Sequence, residues 1–305
     1  MKRLLSALDA RFMASAPPER LATVRFLCGA FAVIYFIVRG HVMADFRHAP
    51  GVFAPVGIAS VLSSPLPAAL PFVIYLLTLA AGVAFTLGFR FRLSGPLFAL
   101  LSLWVTSYRN SWGMIFHNDN LLVMHLIVLG GCDAAAALSF DAGRRGPVVD
   151  GPRFGWPLKL LSILTALAYV LAGVAKLKGT GLSWLHGDVL RNYIAYDALR
   201  KLQIGSFASP LAPYLVQVEW PFAALSIMTM VLELVGPVVI WFPRLALVWA
   251  LGLWGFHLGV LVSMAIAFPY PLSGIAFAPL FRCERVWQLG GLRRVRGRLF
   301  PARPV

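Results

Sequence analysis

Residues 21–38 read LATVRFLCGAFAVIYFIV, and this stretch decides the fold. It is apolar over its whole length apart from Arg25, and a helix needs about 20 such residues to cross the hydrocarbon layer of a bilayer. The apolar run begins too late for a cleavable leader, and no small-residue cleavage pattern follows it. It therefore reads as a first membrane span, 21–39, acting as an uncleaved signal. The same reading extends outward along the chain to spans at 67–89, 94–108, 120–140, 157–177, 220–242 and 245–267. An eighth, short one is expected at 271–282, after the break Pro269-Tyr270-Pro271. It reads either as a span or as a re-entrant segment.

Composition agrees. Of 305 residues, 59% are hydrophobic and 13% charged, against about 25% charged in an average soluble domain. So few charges cannot cover a globule of this size, and the missing polar surface must face lipid. The expected fold is an all-α integral membrane protein, a polytopic bundle of about eight transmembrane helices. Its segments are a cytoplasmic N-terminal piece 1–20, a membrane domain 21–282 and a basic cytoplasmic tail 283–305. Residues 40–66 and 178–218 form long outer segments.

The net charge of +15 invites a nucleic-acid reading. The placement of the charges argues against it. Seven of the 27 Lys and Arg lie between Arg282 and Arg303, and most others sit at the ends of apolar runs. A nucleic-acid binder would carry them on a polar face instead. With the N-terminus cytoplasmic and eight spans, 18 basic residues fall inside and 8 outside, with Arg25 within the first span. That follows the positive-inside bias and places both termini in the cytoplasm. Membrane lipids are the first partners expected. Cys28, Cys132 and Cys283 form no CxxC or Cys/His cluster, so neither a disulfide framework nor a metal site is expected.

Charged groups within a bilayer are costly and mark candidate sites. Glu233, in MVLELVGP, and His257, in WGFHLGV, lie 11 and 13 residues from their shared inner turn at Arg244. At 1.5 Å per residue both sit roughly 16–20 Å deep. Such a pair could hold a proton, orient a ligand or lock two helices by a hydrogen bond. A second polar cluster, His117-Asn118-Asp119-Asn120, opens the fourth span. Arg109 and Asn110 precede it, and His125 follows two turns further in. It reads either as a solvated loop with Asn118 or Asp119 capping the next helix, or as the wall of a cavity. Lys176 ends the fifth span in AYVLAGVAKLKG. It is either a snorkelling lysine, like Lys178 two residues on, or a desolvated amine able to act as a base. In the outer segment, 188–202 reads as an amphipathic helix with Leu190, Ile194, Leu199 and Leu202 on one side. It would lie in the interface or lid a cavity.

Five stretches then carry a resemblance. They are SYRNSWGMIFHNDNLL (107–122), ALSFDA (137–142), YVLAGVAKLKGTGLSWLHGDVL (169–190), LELVGPVVIW (232–241) and FHLGVLVSMAIAFPYPLSGIAFAPL (256–280). The chain resembles the HTTM family, the horizontally transferred transmembrane domain shared with vitamin K-dependent gamma-carboxylases. In those enzymes a lysine in an AG-x-x-K-L stretch deprotonates vitamin K hydroquinone, and Lys176, within Ala172–Leu177, stands at the matching position. The resemblance implies an enzyme of the bacterial inner membrane using a reduced quinone of the vitamin K or menaquinol type. Lys176 would be its base, with His117, Asp119 and His125 nearby. Glu233, His257, Arg109 and Trp184 would contact the quinol. The carboxylases carry an Asn-His pair before the fourth span, where this chain has His117-Asn118-Asp119-Asn120. They also carry a large extra-membrane part, whereas this chain ends near the end of the membrane core, so peptide gamma-carboxylation is not expected to transfer. Some relatives resemble SdpB-type proteins, which help mature secreted peptide toxins. A non-catalytic accessory protein assisting a secreted peptide or a neighbouring partner is therefore the alternative. A transporter fits worst, since no inverted repeat is visible.

Overall fold

The computed structural model describes residues 12–43, 50–113, 115, 117–144 and 148–300. The charges expected inside at Lys2, Arg3, Arg11, Arg145 and Arg303, and outside at Arg47, lie beyond these. The regular elements among the described residues are all helices, with one isolated β-bridge between Ala16 and Gly151. The longer helices are α1 (Pro18–Val38), α2 (Ala69–Leu87), α3 (Phe91–Asn110), α4 (Asn120–Gly130), α5 (Pro152–Thr180), α6 (Asp188–Gln203), α7 (Pro221–Leu234), α8 (Gly236–Trp241), α9 (Ala246–Met264) and α10 (Gly290–Leu299).

Among the described residues, four segments are long and apolar enough to cross a membrane: Pro18–Val38, Ala69–Leu87, Pro152–His186 and Pro243–Met264. Their outer faces are bare leucine, valine and phenylalanine. Leu70, Phe72, Val73, Leu76 and Leu77 on α2, and Leu247, Val248 and Leu251 on α9, are all exposed. Apolar faces this continuous require lipid around them. The protein is a helical membrane protein.

The remaining expected spans differ from the structure in instructive ways. The third is a helix, but over Phe91–Asn110, with polar residues at both ends. The fourth stops after eleven residues at Gly130, and turns occupy most of 131–141. An eleven-residue helix rises only about 16 Å. The sixth is broken into α7 and α8 around Val235, because Pro237 has no amide hydrogen to continue the ladder. The eighth is not a continuous helix: it is one turn, Pro269–Leu272, followed by a 3₁₀ stretch, Ile275–Leu280.

The chain divides into two compact units, one of residues up to 161 together with those from Phe281 onward, the other Ser162–Leu280. In the first, α1 buries Leu21, Arg25, Cys28, Ala32, Tyr35 and Phe36 along one stripe at helical spacing. Helices α3 and α4 touch through backbone. A Cβ on Gly130 would lie 2.6 Å from Gly95 O, and one on Gly95 2.9 Å from Gly130 O. Arg25 is fully buried, with no acidic side chain in salt-bridge contact among the described residues. It donates to the carbonyls of Leu138 (2.5 Å) and Ala134 (3.4 Å), which the non-helical 131–141 turn leaves free, and its guanidinium stands over the Phe91 ring. Asp141 accepts from the backbone amides of Arg90 (3.0 Å) and Phe91 (2.7 Å), capping α3. The ALSFDA stretch thus has a structural task. After the membrane domain, Arg20 and Glu284 form a two-pronged pair (2.9 and 3.0 Å), and Trp287 Nε1 donates to Thr23. These contacts fix residues 283–288 against α1.

In the second unit helix α6 buries Ile194 in a cluster with Ala212 and Phe222, flanked by Leu190, Ala198, Val216 and Met264. The expected apolar side is only half right. Leu199 and Leu202 are exposed, while Asp197 is buried, held by Arg200 (3.0 Å) and Lys201 (2.7 Å). The inward side therefore combines the apolar Ile194 cluster with an ion-paired Asp197.

Candidate functional site

The second unit gathers four polar side chains around α5. Tyr169 and Lys176 are seven residues apart on that helix and so share one face. Between them, Gly173 lets α7 approach: a Cβ there would meet Leu234 at 2.9 Å and the Cβ of Glu233 at 3.2 Å. The approach delivers Glu233 to Lys176, whose Nζ donates to Glu233 Oε1. Helix α9 delivers His257, whose Nε2 stands 2.9 Å from Tyr169 Oη. The Glu233–His257 pairing considered from sequence is thus resolved into two pairs, Glu233 with Lys176 and His257 with Tyr169. Tyr169 lies within electrostatic reach of Glu233, and His257 within that of Lys176.

Aromatic rings enclose the cluster. Lys176 Nζ lies 4.9 Å from the ring centre of Trp184 and 5.4 Å from that of Phe256. Trp184 is itself buried, brought there by the 3₁₀ turn Gly181–His186. The His257 ring packs against Phe256 and Phe268. Glu233 is 2% exposed and His257 5%, whereas the Lys176 side chain keeps a fifth of its surface. Lys178 is exposed, as a snorkelling lysine should be. Three buried polar atoms of this cluster have no hydrogen-bond partner among the described residues: Glu233 Oε2, His257 Nδ1 and Trp184 Nε1. Native interiors rarely leave such atoms bare, because each costs its desolvation uncompensated.

Beside the cluster is an apolar cavity of about 430 Å³, lined by Leu190 and Ile194 of α6, Leu225 and Thr229 of α7, and Phe256 and Val260 of α9. Phe256 belongs to the cavity wall and also faces Lys176. Thr229 lies one helical turn before Glu233. Helix α6 therefore lids a cavity, one of the two roles open to it from sequence.

The polar cluster of the first unit is built differently. Asp119 accepts from Arg109 Nη1 (2.7 Å) and from Tyr35 Oη (2.6 Å), and all three residues are buried. Asn118 Nδ2 reaches Tyr35 Oη at 3.4 Å. Asp119 precedes α4 but makes no capping bond to it, since both carboxylate oxygens are engaged elsewhere. His125 is fully buried and its Nε2 donates to the Leu161 carbonyl (3.2 Å). The side chain of His117 lies outside the described residues. Arg109, Asp119 and His125 thus belong to the first unit, and Lys176, Glu233, His257 and Trp184 to the second.

Three participants went unnoticed in the sequence. Tyr35 continues the buried stripe of α1, and Tyr169 sits seven residues before Lys176, so helical spacing could have found both. Phe256 carries no signal beyond its place beside His257. Among the described residues no three His, Cys, Asp or Glu side chains are grouped as metal ligands.

Apolar helices, broken spans and a buried acid–base cluster define a helical integral membrane protein with an internal polar site. The HTTM domain model matches residues 14–287, and the chain belongs to the HTTM domain family. No curated protein and no solved structure matches it.

Proposed function

We propose that this HTTM-domain protein is a membrane enzyme that removes a proton from a lipid-soluble quinol of the vitamin K or menaquinol type, at the Lys176–Glu233 pair. The observation that carries the reading is a partly buried ion pair whose second carboxylate oxygen has no hydrogen-bond partner among the described residues, set beside an apolar cavity of about 430 Å³. A quinol hydroxyl is a weak acid, and a fixed charge pair out of water suits its ionisation. The cavity wall suits an apolar ring or tail. Carboxylase- or epoxidase-like chemistry would follow from the quinolate. Both termini are assigned to the cytoplasm, in a bacterial inner membrane, from the bias of basic residues.

The test is quinol consumption by purified, detergent-solubilised protein under air, for the wild type and Lys176→Ala. Consumption that vanishes in the variant supports the reading, and none by the wild type across several quinols sinks it. The second reading, an accessory protein for a secreted peptide or partner, draws on the outer segment. There Tyr193, Tyr196, Phe207, Tyr214 and Trp220 are all more than half exposed, and aromatic residues of this kind are enriched at binding surfaces and membrane interfaces alike.

A further inference from the structure

Among the described residues, the groups in contact with Lys176 Nζ are a carboxylate and two aromatic rings. It donates to a carboxylate and faces the rings of Trp184 and Phe256 at 4.9 and 5.4 Å. A carboxylate and two π faces are the surroundings that hold a cation. An ammonium has three donors and no lone pair, so it accepts no proton. Glu233 is its complement. One oxygen is taken by Lys176, and the other, Oε2, is buried without a hydrogen-bond partner among the described residues. A bare carboxylate oxygen is an acceptor waiting for an O–H.

From this geometry we infer that Glu233, through Oε2, is the proton acceptor of the site, and that Lys176 is the fixed cation that stabilises the resulting oxyanion. The inference rests on the quinol reading above and reassigns the proton within it. In the step, the ligand O–H bond breaks and an Oε2–H bond forms. The electron pair stays on the ligand oxygen, which becomes an oxyanion. Lys176, its carboxylate partner now neutral, becomes the counter-ion of that oxyanion. The site holds one positive and one negative charge before and after, so no net charge is created in a low-dielectric interior, where creating one is most costly. Glu233 is then the catalytic residue that touches the reacting hydrogen, and Lys176 supplies the electrostatic stabilisation.

Arginine separates the two assignments, since a guanidinium stays charged and cannot serve as a base. Binding of 1,4-naphthohydroquinone under nitrogen is followed by the red-shifted absorbance of its ionised form, and turnover is followed under air. The expected result is that Lys176→Arg keeps the ionised band and turnover within about tenfold. Glu233→Gln, nearly isosteric, loses both by about 100-fold or more. Guanidinium added to Lys176→Ala restores part of the signal, which keeps the test open should the arginine variant fail to fold. The inference is overturned if Glu233→Gln still ionises the ligand. It is equally overturned if folded Lys176→Arg is as inactive as Lys176→Ala, or if ethylamine rescues that variant and guanidinium does not. A wild type that neither ionises nor consumes any quinol overturns the quinol reading itself, and the inference with it.

Discussion

Replacing Asp119 by alanine should unfold the first unit many degrees earlier. The Arg109 and Asp119 side chains are each 3% exposed, and Asp119 also accepts from Tyr35. Removing one partner of a buried ion pair leaves an uncompensated charge and costs about 3–5 kcal/mol. The lost tyrosine hydrogen bond adds about 1 kcal/mol. At about 2–4 °C per kcal/mol for a chain of this size, the ion-pair loss alone lowers Tm by about 6–20 °C. The native thiols offer the assay. Burial, then the neighbouring carboxylates Asp133 and Glu284, pushes the Cys132 and Cys283 thiols up to about 12. Thiols react as thiolates, so at pH 7.5 both stay slow towards a fluorogenic maleimide while folded. Both become reactive on unfolding, when their values fall back towards the ordinary range. The double variant Arg109→Met/Asp119→Leu should recover most of the loss, because no charge is then stranded. An Asp119→Ala protein melting within about 2 °C of wild type would refute the buried-pair argument.

Other expectations follow from the same contacts. Asp141→Ala removes the acceptor for the amides of Arg90 and Phe91 and should cost about 1 kcal/mol, read in the same melt. Gly130→Val would force a side chain into the Gly95 backbone, where even a Cβ lies 2.6 Å from the carbonyl oxygen. A loss of about 1–3 kcal/mol or more is expected, with Gly131→Ala, whose nearest neighbour is 3.4 Å away, as the milder control. Alkylation of Cys283 in the folded protein should keep rising with pH beyond 10, where a free thiol has already levelled off, since its thiolate forms only near pH 12. A plateau near pH 9 in peptide-mapped labelling would contradict that.

Hydropathy made α1, α2, the core of α5 and α9 legible, because an apolar stretch of span length has few other uses. It failed where backbone chemistry or close packing intervenes. The stretch 120–140 is apolar enough for a span, but Gly130 and Gly131 end the helix, and Arg25 collects the carbonyls of the turns beyond. The stretch 220–242 is equally apolar, and Pro237 breaks it. The site was half legible. Rarity of charge in apolar sequence flagged Lys176, Glu233, His257, Arg109 and Asp119, and each proves buried or partly buried with a partner. Pairing was not legible, since depth alone gave Glu233 and His257 similar positions. The helix that separates their fates is α5, whose Tyr169 and Lys176 lie two turns apart and take one partner each.

The two carboxylates buried deepest in ion pairs make the contrast that decides where chemistry belongs. Asp119 has both oxygens engaged, one by a guanidinium and one by a phenol. Adding a ligand there would require breaking a bond already made inside the protein, so the arrangement reads as a lock. Glu233 has one oxygen engaged and one without a hydrogen-bond partner among the described residues, in a setting almost as dry. If fold stability alone had shaped that position, a glutamine or a leucine would serve at lower desolvation cost. Retaining a half-satisfied charge is a thermodynamic burden that a bound hydroxyl would relieve. The free energy withheld from folding would then be available to the ligand, and more of it to the ligand's anion than to its neutral form, because Lys176 stands on the same carboxylate. That asymmetry between two otherwise similar ion pairs is what supports the proposal of acid–base work at Glu233, while the Arg109–Asp119 pair reads as a helix lock.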